Sequence, residues 1–136
     1  MKINKIINKL LYLAAIGASI FIMFFVIACV WIGFEVKNQC TIAKAAYGSN
    51  NCTQALSSLL DDENRSFQER NSAIWALGQL GEKEALPMLQ KYYTGIIPNR
   101  EPLNGTISQY ELKKAINLAN GGINISAFIW RGRKVE

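Results

Sequence analysis

Residues 70–93, RNSAIWALGQLGEKEALPMLQKYY, read as two short helices joined at a glycine stop. Just upstream, Ser66 is a good N-cap, and Glu69 three residues later completes a capping box, which places the start of the first helix. Phe67, Ala73, Ile74, Leu77 and Leu80 recur at helical spacing with Trp75 alongside, so Trp75 is expected in the core. Gly81 ends the run, since glycine enters the left-handed cap without a steric cost. Ala73, Ala76 and Gly78 are small enough to let a neighbouring helix approach closely. The second helix spans about Lys83 to Tyr93, with Ala85, Leu86, Met88 and Leu89 apolar. Pro87 falls in or near its first turn, where a missing N–H costs least.

The same reading extends outward in both directions. Upstream, Ala55, Leu56, Leu59 and Leu60 share one face of a helix from about Thr53 to Asp61. The turn that follows, Asp61-Asp62-Glu63-Asn64-Arg65, is rich in carboxylates, but its spacing fits no calcium loop and it lacks the pivot glycine, so it reads as a solvated turn. Downstream, residues 94–107 (TGIIPNREPLNGTI) form an irregular loop. Ser108 to Asn120 is helical again, with Ser108 and Glu111 spaced for a second capping box and Gly121-Gly122 as the stop. The tail, INISAFIWRGRKVE, holds Ile125, Phe128, Ile129 and Trp130 and is expected to form a last short helix over the open end of the core.

These helices repeat. Gln54–Leu60 aligns with Glu84–Gln90 at an offset of 30, and Ala73-Ile74 through Gly81 resembles Ala115-Ile116 through Gly122 at offsets of 41–42. A helix-pair period of this size suggests an α-solenoid. The pattern Arg70, Ala73, Trp75-Ala76-Leu77-Gly78, Leu80-Gly81, Ala85, Pro87 and Leu89 resembles the HEAT-like repeat first described in phycobilin lyases. The resemblance is strong over residues 53–93 and weaker over 108–122, where Asn117 and Asn120 replace apolar or small positions. It implies stacked antiparallel helix pairs whose second helices line a concave face. It does not imply lyase activity.

The N-terminal part has a different character. From Leu10 to Phe34, LLYLAAIGASIFIMFFVIACVWIGF carries no charge, and as a helix it is about 37 Å long, enough to cross a hydrocarbon core of about 30 Å. Lys2, Lys5 and Lys9 precede it without an acid, while Glu35 and Lys37 after it nearly cancel, so the N-terminus is expected in the cytoplasm and the rest outside. A secretory signal has a shorter apolar core. Val26-Ile27-Ala28-Cys29 resembles a loose lipobox, which would make Cys29 an acylated first residue, but five more apolar residues follow where a polar tether is usual. The reading adopted is an uncleaved anchor. The expected organisation is a cytoplasmic segment (1–9), a transmembrane helix (10–34), a juxtamembrane helical segment (35–52) and a HEAT-like domain (53–136), all-α throughout. Outside the membrane, Cys40 and Cys52 sit in an oxidising space and are expected to pair.

Charge and composition narrow the function. The net charge is +5, of which residues 1–34 supply +3, so residues 35–136 are close to neutral with 12 basic and 10 acidic side chains. The only basic cluster of that part is Arg131, Arg133 and Lys134, and no basic face for nucleic acid is visible. The chain has no histidine, hence neither the commonest general base nor the commonest metal ligand, and no phosphate loop. The expectation is a protein that is not an enzyme and uses no cofactor, metal or small-molecule substrate. Its partners would be the lipid bilayer and membrane or membrane-associated proteins. Sequons at Asn51, Asn64, Asn104 and Asn124 matter only in a glycosylating host, and the Ile-, Lys- and Asn-rich composition suits an AT-rich microbial genome, so the location expected is a bacterial or other microbial cell membrane.

Two functions fit. One is a membrane-anchored scaffold or adaptor for protein–protein interaction, its effective concentration raised by confinement to the membrane. The other is an accessory subunit of a larger membrane complex, packed through the small residues Ala14, Ala15, Gly17, Ala18 and Ser19. On the solenoid reading, the candidate partner-binding residues are Gln68, Ser72 and Gln79 on the first inner helix and Gln109, Lys113 and Asn117 on the second.

Overall fold

A computed structural model describes residues 2–132, which contain helices and no strand. The first helix, α1, runs unbroken over Lys2–Tyr47. The apolar run and most of the segment expected as a separate juxtamembrane element over 35–52 are therefore one helix. Residues 35–39 hold no glycine or proline to break it, and Gln39 donates from Nε2 to Glu35 Oε1 one turn back at 2.9 Å, a pair that supports the helix. Gly48 ends α1 at φ 63°, and Asn51 caps α2 (Cys52–Asp61), its Oδ1 accepting the Gln54 N–H at 3.1 Å.

Both halves of the capping box form at the start of α3 (Phe67–Leu80): Ser66 Oγ accepts the Glu69 N–H, and the Glu69 carboxylate accepts the Ser66 N–H. Gly81 closes α3 in the left-handed region at φ 64°. A 3-10 turn over Lys83–Ala85 leads into α4 (Leu86–Tyr92), with Pro87 in its first turn. After the irregular stretch come α5 (Gln109–Ala119) and the short α6 (Ile125–Trp130), which Asn124 caps.

Helices adjacent in sequence pack together, α2 on α3 and α4 on α5, while α3 lies against α5 and the C-terminal part of α1 lies against α2, α3 and α6. Leu56, Leu60, Ile74, Leu77, Leu89 and Leu112 are fully buried at the centre. Each such side chain contributes about 2 kcal/mol by leaving water. The contact of α3 with α5 depends on Gly78: a Cβ there would stand 2.8 Å from Ala115 Cα. Asn117 and Asn120, which depart from the repeat pattern, are both exposed and so leave the packed face of α5 apolar.

Three local expectations differ from what forms. Trp75 is half-buried; it touches the central core and also the smaller cluster of Val36, Ala127 and Trp130, so it bridges the two. The Asp61–Arg65 turn is tied down as well as solvated: Tyr92 Oη donates to Asp61 at 2.6 Å, Lys91 pairs with Asp61, and Tyr47 Oη donates to Asp62 at 2.7 Å. At the start of α5, Ser108 Oγ accepts the Glu111 N–H, but the returning half of the box is replaced, because Asn71 on α3 takes the Ser108 N–H.

Candidate partner-binding groove

A groove of about 390 Å³ lies where α1, α3, α5 and the 94–107 loop converge. Glu35 and Gln39 reach it from α1, Gln68, Ser72 and Trp75 from α3, Leu103 from the loop and Glu111 from α5. It combines an aromatic wall, two carboxylates and four uncharged polar groups, Asn71 among them. Glu35 already accepts from Gln39, and Glu111 accepts from Lys114 Nζ at 2.9 Å, but each carboxylate retains acceptor capacity. The chemistry suits an occupant rich in donors, such as an extended segment with amide or basic side chains.

The loop wall is held by hydrogen bonds as well as by Ile107, which packs on the core. Asn71, nearly buried on α3, donates from Nδ2 to Leu103 O at 2.9 Å and Thr106 O at 2.8 Å and accepts the Ser108 N–H at 2.8 Å. Glu101 closes the N-terminus of α5, its carboxylate accepting from Ser108 Oγ at 2.6 Å and Gln109 N at 2.7 Å, with Tyr110 N further off at 3.3 Å. Burial pushes the Glu101 carboxyl up, but the hydrogen bonds from Ser108, Gln109 and Tyr110 outweigh it and hold it below the ordinary carboxylate value. On the far side, buried Arg70 donates to Leu60 O at 2.8 Å and lies over the Tyr92 ring at 5.4 Å, locking α3 to the end of α2 and to α4.

The six candidate partner-binding residues do not share one surface. Gln68 and Ser72 line the groove. Gln79 is engaged by the tail: its Oε1 accepts from Asn124 Nδ2 at 2.9 Å and its carbonyl accepts from Arg131 Nε at 3.0 Å. Gln109 is a loop anchor, accepting the Thr94 N–H at 2.8 Å and donating to Tyr92 O at 3.1 Å. Lys113 and Asn117 are exposed on α5. Cys40 and Cys52 are placed as a disulfide pair with Cα atoms 5.3 Å apart, tying α1 to the start of α2, and Cys29 is a buried free cysteine within α1.

Helix α3 is capped at both ends, and its glycine stop leads through a 3-10 turn into the proline-started α4. Residues 69–94 match the PBS lyase HEAT-like repeat. The HEAT-like repeat therefore supplies three groove residues, Asn71, Ser72 and Trp75, and the clamp residue Arg70. A relative outside this repeat family's name, the deoxyhypusine hydroxylase of Schizosaccharomyces pombe, is 28% identical over 95 residues, 68% of this chain. Those residues are 30% of the hydroxylase, so the chain spans under a third of the relative it matches. The match corrects one expectation: a chain that is not an enzyme was inferred from missing histidine and nucleotide motifs, and a relative of this chain is an enzyme. No solved structure matches the chain significantly.

Sequence reasoning missed Asn71, Glu101, Glu35 and Gln39. Asn71 gave little signal, since it lies among Gln68, Glu69, Arg70 and Ser72 in the polar first half of α3. Glu101 gave none, since a cap offered from a loop seven residues before Ser108 follows no fixed spacing.

Proposed function

We propose that this chain is a membrane-anchored protein–protein interaction module: α1 crosses the bilayer with its N-terminus in the cytoplasm, and the helical domain stands outside as a short α-solenoid that holds a partner segment in the groove. The observation that carries this reading is a change of environment along α1. Residues 10–28 are all exposed although uncharged, and beginning at Cys29 one stripe, with Val36, Cys40 and Ala43, is buried against the domain. Nineteen exposed residues make about 28 Å of helix, close to the thickness of a hydrocarbon core. A soluble protein would leave a continuous apolar surface of that length in water, at a large cost. The order α2 on α3, α3 against α5 and α4 on α5, together with the match over residues 69–94, supports the solenoid reading.

The groove sits at the height of Glu35 and Gln39, just beyond the apolar run. A partner that is itself a membrane protein would meet it at the bilayer surface. Photocrosslinking in native membranes tests this. A photoreactive residue in place of Ser72 should give a discrete adduct with a membrane protein, and one in place of exposed Lys113 should not. Adducts of equal yield at both positions, or none at Ser72, would remove the groove as the binding site.

A further inference from the structure

We propose that α6 is a membrane-interface wedge, with Phe128 and Ile125 seated in the outer leaflet of the bilayer; the inference rests on α1 crossing that bilayer. Among the described residues, α6 meets α1 closest to the apolar run: a Cβ on Gly33 would stand 2.7 Å from Trp130 Cβ, and Cys29, one turn earlier, is the first buried residue of the helix. This contact puts α6 level with Trp31 and Phe34, both exposed on α1, where the apolar run ends and an aromatic belt is favoured.

Along α6 the two sides differ. Ala127 and Trp130 face inward, packing with Val36, while Phe128 is 89% exposed and Ile125 67% exposed, three residues apart on the other side. Ile123, just before the helix, is 90% exposed. In water this cluster would be an uncovered apolar patch on a helix of only six residues. Lipid covers the side of α6 that α1 leaves open. The sequence then turns basic at Arg131, Arg133 and Lys134, a pattern that draws anionic headgroups toward an apolar insertion; the last two lie outside the described residues.

The test uses the full chain reconstituted in vesicles of phosphatidylcholine and phosphatidylglycerol, with p-benzoylphenylalanine placed singly at position 21, 50 or 128. Phe21 lies in the exposed apolar run, and Asn50 lies beyond the far end of α1. Both exposed sites tolerate the bulk, as does Phe128. After irradiation, lipid adducts at positions 21 and 128 with none at 50 are the expected result. A lipid adduct at 21 without one at 128 overturns the wedge and leaves the span intact. A crosslink from 128 to a second copy of the chain also overturns it. No lipid adduct at 21 removes the span, and the wedge with it.

Discussion

Asn71 and Ser108 lie 37 residues apart in the chain, yet the Asn71 side-chain oxygen accepts the Ser108 N–H at 2.8 Å. The same amide group donates to the carbonyls of Leu103 and Thr106, so one side chain fixes a loop and the start of a helix. Asn71→Ala leaves that buried N–H and two carbonyls without their partner. The expected loss is about 2–3 kcal/mol by chemical denaturation, accompanied by faster proteolytic cleavage within 94–107. An unchanged cleavage rate would show that the loop is held by other contacts.

Gly78 is where α3 and α5 come closest. Gly78→Ala gains about 1 kcal/mol of helix propensity, but its methyl would press on the Ala115 backbone, and overpacking costs about 1–3 kcal/mol. A net destabilisation is expected, larger still for Gly78→Val. If Gly78→Ala raises the melting temperature, the two helices are less tightly apposed than described.

Acid should weaken the domain through the turn between α2 and α3. Hydrogen bonds from Lys91 and then Tyr92 hold the Asp61 carboxyl below its ordinary 3.8, and a bond from Tyr47 followed by the Asn64 N–H does the same for Asp62. As pH falls toward 3.8 the unfolded chain takes up protons before the folded one does. The stabilisation is therefore complete above that range and is lost as pH drops through the lowered folded values. Melting temperature followed from neutral to acid pH should fall less steeply for Asp61→Asn than for the parent; parallel curves would count against the tie.

Much of this fold was legible locally. The Ser66–Glu69 box, the Gly81 stop and the apolar stripe of α3 depend on neighbours within one or two turns. The groove was not, because its walls come from four separate stretches. Ser108 and Glu111 repeat the spacing of Ser66 and Glu69, and only half of their box forms, since Asn71 from another helix claims the Ser108 N–H. Gln79 and Gln109 looked like solvent-facing polar positions for the same reason: their partners, Asn124 and Arg131 in one case and Thr94 in the other, are set by how the tail and the loop return. The continuity of α1 into the domain was missed because the change from apolar to polar composition at Glu35 resembles a boundary.

The Cys40–Cys52 pair ties α1 to α2 across 12 residues. Replacing both with serine should lower stability by about 3 kcal/mol in the chain-entropy account of such a loop. Peptide mapping without reductant, on protein taken from its native compartment, should find the two linked and Cys29 free. Recovery of all three as alkylated thiols would mean that the domain is not in an oxidising space.

The central claim, a helical domain held outside the membrane by α1, is tested most directly by protease protection. The full chain, tagged at both ends, is expressed in a bacterial host and exposed to protease in intact spheroplasts. The account predicts that the C-terminal tag disappears while the N-terminal tag survives on a short fragment that sediments with membranes. A C-terminal tag protected until the cells are lysed, or a chain recovered whole from the soluble fraction, would contradict it.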